Sequence, residues 1–570
     1  LQESLMARLD RLPKLREVAQ LGAVIGREFA YEMLRAIAPM DEARLQDGLN
    51  QLVEAELLYR RGRPPRAKYI FKHALIQDAA YQSLLKRTRQ QCHRQVADLL
   101  ESRFPETVET QPELLAHHHT EANSPQTAVE YWLKAGQQAV HRFADREAVG
   151  HLEKGLGVLV TLPDTPERAR QELTLQTSLG PALMATKGYA APAVGKAYRR
   201  ARDLCQELKE ITQLFPVLWG LWMYHLVRAE HEAASGLTKQ ILSVAQTTGD
   251  ADLALEAHFA VGLSAFYCGE LLSAREHLEQ AISAYDPERH RGLASTYGGL
   301  DPGVCCLEYV AWTLWLLGYP DQALKRADEA QPLAKRVANL YTQTRSLYWD
   351  SLVRQFTGQW DVLRERIEVA ISMATDHGFA LVLGVGPIMR GWALVTEGRA
   401  EEGIRQISQG LERYRATGAG FQLPHLLTPL IEAYRKLEQP EEGFAVLAEA
   451  QALVEKTGER YYEAELQRLK GELLLAQSLD DPAEAEACFH NALEIARRMH
   501  AKSLELRTAM SLARLWQRQG KEGDARQLLN DVFAWFTEGF DTADLREARA
   551  LLDELGAMQE VGISERRAAE

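Results

Sequence analysis

The chain has 570 residues, of which 46% are hydrophobic and 25% charged, and 66 lysines and arginines stand against 79 acids for a net charge of −13. A chain of this length exceeds one ordinary core and is either several domains or a repeat array, with the composition of a folded protein. The acidic balance argues against bulk attraction to nucleic acid. No window approaches the ~18 uninterrupted apolar residues of a membrane span and no basic-then-apolar leader opens the chain, so no membrane partner is expected and the cytoplasm is the default compartment.

The opening LQESLMARLDRL is already amphipathic, with Leu5, Leu9 and Leu12 on one helical face and no initiator Met, which reads as a piece of a longer polypeptide. Further helical patterns run through Leu15 to Leu21, Phe29 to Ile37 and Glu42 to Glu54. LLYRRGRPPRAKYIFK then breaks the helical period, because two β-prone runs flank a Gly/Pro/Arg turn, the signature of a hairpin. Helices, a hairpin and a further helix within residues 1–110 describe a winged helix with the hairpin as its wing.

Charge concentrates here. Between Leu57 and Arg94 ten basic residues face one acid, Asp78. Arg60, Arg61, Arg63, Arg66, Lys68 and Lys72 could contact DNA phosphates, or an acidic surface or nucleotide of a neighbouring domain. They could equally be a solvated edge kept from aggregating. His73 sits where the strand-like YIFK meets the helix-like ALIQDAAYQSLL.

Residues 111–556 carry a repeat. In a tetratricopeptide hairpin a small residue in helix A lets helix B approach, and helix B returns the favour with small-x3-bulky-x2-small. Gly136 is followed by Ala148, Leu152 and Gly155; Gly262 by Ala274, Leu278 and Ala281; Gly391 by Gly403, Ile407 and Gly410; Gly471 by Ala485, Phe489 and Ala492. Ala311, with Ala323 and Ala330, makes another copy, and Ala193, Ala233, Leu363, Gly443 and Ala525 mark weaker ones. The spacing of about 40 residues predicts about ten hairpins stacked into a right-handed superhelix. A Gly/Pro/Asp-rich stretch near 286–304 should interrupt the array, and 557–570 should fray. The expected fold class is therefore all-α, a tetratricopeptide superhelix preceded by a small winged-helix domain with one β-hairpin.

Chemistry is sparse. There is no G-x-x-x-x-G-K-[ST] loop, and LLLAQSLDD (473–481) reads as a helix and its loop. The six cysteines form no C-x-x-C pair and are expected as buried thiols. His117, His118 and His119 point three ways around a helix, so core and solvent histidines are expected before a metal site. No catalytic constellation and no cofactor site emerges, and an enzymatic role for this chain is not expected.

LQESLMARLDRLPKLREVAQLGAVIGREFAYEML with YIFKHALIQDAAYQSLLKRTRQQCHRQVADLLE resembles the winged-helix segment of STAND signalling ATPases, and more narrowly bacterial proteins joining an adenylate/guanylate cyclase domain, an AAA-type ATPase and a tetratricopeptide tail. DPGVCCLEYVAWTLWLLGYPDQAL is similar to a stretch of those tails. The resemblance implies a regulatory region whose groove takes a protein or peptide, acting in cis on an upstream ATPase that holds ATP or ADP with Mg. It also implies that His73 is a nucleotide sensor, since related NTPases carry Met-His-Asp at this helix start. Here Lys72 and Ala74 replace the Met and Asp, which leaves a plain structural histidine as the alternative. A transcriptional regulator of the LuxR-like STAND type is the alternative for the whole chain.

Overall fold

The computed structural model describes residues 13–142, 144–290, 292–477 and 482–569, without the side chains of 13, 14, 295 and 558–569. The helix expected over Leu5 to Leu12 and the end of LLLAQSLDD at 478–481 lie outside the described residues. The chain forms two compact units, Leu1–Ala182 and Leu183–Glu570.

In the first unit, the helices Pro13–Ile25, Tyr31–Ile37 and Glu42–Glu54 precede the expected hairpin, strands β2 (Leu58–Arg61) and β3 (Lys68–Phe71), which pair antiparallel with Leu58 opposite Phe71 and Arg61 opposite Lys68. One expectation needs correcting. Phe29 is not helical: Glu28–Ala30 forms a third strand, β1, antiparallel to β3, so the sheet order is β1-β3-β2 and the one hairpin is extended by a strand from earlier in the chain. Three residues are too few to display the alternation that marks a strand in sequence. Pairing decides the matter, because Phe29 lies opposite Tyr69 and their rings stack 5.8 Å apart in a core closed by Leu34, Leu45, Leu49 and Val96. Helices Ala74–Gln82 and Lys86–Arg103 follow the sheet, and the unit continues past residue 110 through Pro112–Glu121, Pro125–His141 and Asp145–Leu159.

Small residues set the helix spacing as anticipated. A Cβ placed on Gly136 would lie 2.5 Å from the Leu152 side chain, one on Gly262 2.8 Å from Leu278, one on Gly391 2.7 Å from Ile407 and one on Gly471 2.5 Å from Phe489. The residues marking helix B, from Ala148 to Ala525, each fall near the start of a helix.

In the second unit the two helices of each hairpin differ. Pro302–Leu316 is buried at every residue, and Leu340–Phe356 at all but Leu340, Tyr341 and Gln343. Their partners Pro320–Val337 and Trp360–His377 bury only a stripe, in the latter Leu363, Ile367, Ala370 and Ala374. One helix of each pair is thus inside and the other forms the wall. Glycines in the left-handed region, Gly269, Gly318, Gly358 and Gly398, turn the inner helices into the outer ones.

The Gly/Pro-rich insertion is packed, not loose. Tyr297 lies against Trp219 with ring centroids 4.8 Å apart, His290 bonds Asp252 at 3.1 Å, and Asp301 caps helix Pro302–Leu316 through the Val304 N–H. The last helix, Ala543–Ala569, runs on through the segment expected to fray.

Candidate interaction surfaces

His73 is the N-cap of helix Ala74–Gln82. It has extended backbone, its side chain makes no capping bond, it is exposed, and its carbonyl accepts from the Ile76 N–H at 3.0 Å. The joint between strand and helix is where the sequence put it, and the imidazole is open to solvent rather than buried between hairpin and helix.

The six basic residues divide. Arg60 donates to the Asn50 side chain at 3.0 Å, Lys68 pairs with Glu28 at 3.2 Å, and Lys72 donates to Glu56 at 3.0 Å while its ammonium stands 5.6 Å over the Tyr59 ring. Arg61, at the end of β2, and Arg63 and Arg66, in the turn, are exposed, and their side chains make no ion pair or hydrogen bond among the described residues. Exposed Tyr59 and Leu75 accompany them on the same unit.

The three consecutive histidines separate as their helical directions require. His117 is exposed, whereas His118 is buried with its Nδ1 2.8 Å from Nδ1 of His93, and His119 stacks on Tyr131 and meets Glu101 at 3.1 Å. Burial pushes both His93 and His118 down to about 3, holding them neutral. Among the described residues no group of three or more His, Cys, Asp or Glu is placed to hold a metal ion.

The second unit holds a larger polar assembly, inside the array. Tyr267 and Tyr309 hydroxyls meet at 2.6 Å; Gln422 donates to the Tyr267 hydroxyl and accepts from that of Tyr348; Glu459 accepts from the Gln422 N–H and lies 3.2 Å from His231. Arg345 pairs with Glu308, Arg354 with Asp350, Arg468 with Glu465 and Arg507 with Asp544. Burial pushes Glu308 up to about 7 against the pull of Arg345, and raises Glu256 well above the usual carboxylate range although the Trp219 N–H donates to it. Rings of Phe266, Trp312, Phe356, His425 and Tyr461 pack through the centre.

These groups are inside because the unit winds back on itself. The Val227 carbonyl accepts from Gly420 and Phe421, the Tyr267 carbonyl from Arg460, the Trp315 carbonyl from the Ser503 hydroxyl, and the Thr357 carbonyl from Ala543. Ser503 and Trp315 are 188 residues apart, between four and five steps of ~40 residues. The turn leaving an inner helix in one winding meets the turn entering an inner helix in the next. The face that would line the groove implied by the resemblance is in this structure covered by the neighbouring winding.

No family model matches this chain. An uncharacterised protein of Rhizobium meliloti (strain 1021) is 26% identical over 515 residues, which is 90% of this chain and 50% of that protein, so the chain spans about half the length of the curated relative it matches. Two solved structures align partially: a Rap protein complexed with competence and sporulation factor (TM-score 0.46, 15% identity, 70% of this chain and 99% of that one), and the STAND protein with a tetratricopeptide-repeat sensor from Pyrococcus horikoshii (TM-score 0.35, 11% identity, 73% and 64%).

Sequence reasoning singled out His73 and the basic turn and passed over the buried Glu308, Arg345, His425 and Glu459. A signal existed, since a lone charge inside an apolar run, as in VCCLEYVAW, is unusual for a helix buried on all sides. Among the described residues no helix is long and apolar enough to cross a membrane.

Proposed function

We propose that this chain is the regulatory, partner-binding region of a STAND-type signalling ATPase. Residues 1–110 act as a winged-helix lever and the helical hairpins of 111–556 as a tetratricopeptide sensor for a protein or peptide. The observation that carries the reading is the inner face of the second unit. Its helices present tyrosines, arginines, carboxylates and amides where a structural core would need only apolar residues, and a buried polar group costs stability unless it is hydrogen-bonded or paired, a cost that a binding face accounts for. Partner engagement would bias the lever, and through it nucleotide exchange upstream.

His73 suits the sensing role, because its imidazole is exposed at a helix N-terminus, which already favours an anion. ATP or ADP with Mg would be held by residues upstream of this chain, with His73 adding one donor. Arg61, Arg63 and Arg66 would meet an acidic partner surface or the nucleotide phosphates.

The test is deletion of residues 183–570 from the full-length protein, followed by nucleotide exchange and output measurements. Altered exchange supports the reading; unchanged exchange and output overturn it. His73→Ala should speed ADP release, and unchanged release returns His73 to a structural role. Salt-dependent duplex binding abolished by Arg61→Ala/Arg63→Ala/Arg66→Ala would favour the transcriptional regulator instead.

A further inference from the structure

We propose that the contact line between successive windings of the second unit is a gate: the windings part along it, and only then does the inner face become accessible. The proposal rests on the reading of that face as the partner-binding surface and concerns how access to it is controlled.

Three observations carry it. First, the seam is specifically built, because glycine stands where the windings approach most closely. A Cβ on Gly420 would come 2.8 Å from the Arg228 carbonyl oxygen, one on Gly318 2.6 Å from Trp535 and one on Gly358 2.7 Å from the Ala543 side chain. Second, the seam's backbone bonds lie at connecting turns, two at the Val227 carbonyl and one each at the Tyr267 and Thr357 carbonyls, with side-chain bonds of Ser503 to the Trp315 carbonyl and of Gln322 to Glu538 beside them.

Third, the surface behind it is incompletely satisfied when closed. His425 is fully buried with both ring nitrogens unpartnered, and beside it the Trp312 N–H and the Tyr461 hydroxyl also lack a partner. Glu459, which bridges the seam to His231, leaves one carboxylate oxygen without a partner. An unpaired buried polar group costs about 1–3 kcal/mol, and water or a partner would pair all of these on opening. The closed state therefore holds groups that favour opening, opposed by the seam bonds and by the aromatic packing of Phe266 and Trp312 on Tyr461 and of Trp312 and Phe356 on His425.

The hairpins need not unfold for the windings to part. Packing within each pair, such as Gly391 against Ile407, lies away from the seam.

Two variants of the chain test the gate without any partner. Gly269→Cys/Arg460→Cys in a Cys268→Ser background locks the seam, since a Cβ on Gly269 would lie 3.3 Å from that of Arg460, close to the ~3.5–4.5 Å of a disulfide. Ser503→Arg wedges it at the Trp315 carbonyl. Hydroxyl-radical footprinting read by mass spectrometry follows Trp312 and Tyr461, with Trp219, buried beside the insertion, as the internal control.

Oxidation of Trp312 and Tyr461 should fall in the oxidised lock relative to wild type, recover on reduction, and rise about tenfold in the wedge while Trp219 stays constant, as expected of a sub-global opening. Equal oxidation in lock, reduced lock and wild type overturns the gate, as does a wedge that changes Trp219 as much as Trp312. Failure to capture a partner on an open seam would count against the binding reading and leave the gate standing.

Discussion

Arg61, Arg63 and Arg66 in the first unit and Arg345, Arg354 and Arg468 in the second are the same side chain in opposite surroundings. The first three are exposed to water in and beside a hairpin turn; the others are largely buried and each meets a carboxylate. In sequence the first group stands out, as a basic run in an acidic protein, and the second is scattered and inconspicuous. Energetically the order reverses. Exposed charges contribute little because water screens them, whereas a buried charge is tolerated only with its partner in place.

The sharpest way to break this comparison is to remove one buried partner. Arg345→Met strands Glu308 and should destabilise the second unit by about 3–5 kcal/mol in denaturant unfolding. Adding Glu308→Leu should recover most of that loss, and a double variant no better than the single would mean that the pair is not the relevant unit.

The inner rings come next. Phe266→Ala removes packing against Tyr461 and Trp312 and should cost about 3–5 kcal/mol by the same measurement.

A third variant sharpens the contrast through pH. Burial pushes His425 down to about 3, below its unfolded range near 6.5. Between those values the unfolded chain binds the extra proton, so stability rises with pH through this window and is lost on acidification. Glu308, raised to about 7, acts in the opposite sense, its contribution fading as pH climbs from the ordinary carboxylate range. The difference between variant and wild type isolates the histidine. His425→Phe should lessen the slope by about 1.4 kcal/mol per pH unit between pH 3 and 6.5. Parallel profiles would show that His425 does not stay neutral when buried.

The smallest effects belong to the first unit's surface. Lys68→Ala, which breaks the exposed pair with Glu28, should change stability by less than about 1 kcal/mol. Each of Arg61→Ala, Arg63→Ala and Arg66→Ala should fall within about 0.5 kcal/mol. A larger loss in any of them would assign that arginine a structural role.

Much of this organisation was legible beforehand because it is local. Gly136 with Leu152 and Gly471 with Phe489 lie within one hairpin, so a small residue and its bulky counterpart recur at fixed spacing and betray the contact. Strands β2 and β3 announced themselves through a Gly/Pro turn. The strand Glu28–Ala30 did not, since its partner lies some 40 residues on and its length carries no period.

The sequence by itself determined the helical hairpins, their period, the joint at His73 and the exposed basic turn, all of which follow from side-chain size and backbone preference over a few dozen residues. Only the tertiary structure decided that the second unit closes on itself, placing Val227 against Gly420 and Trp315 against Ser503 and turning the face between them into an interior. The reason is geometric. Small rotations between consecutive hairpins accumulate before residues nearly 200 positions apart can meet, and no local pattern encodes that sum.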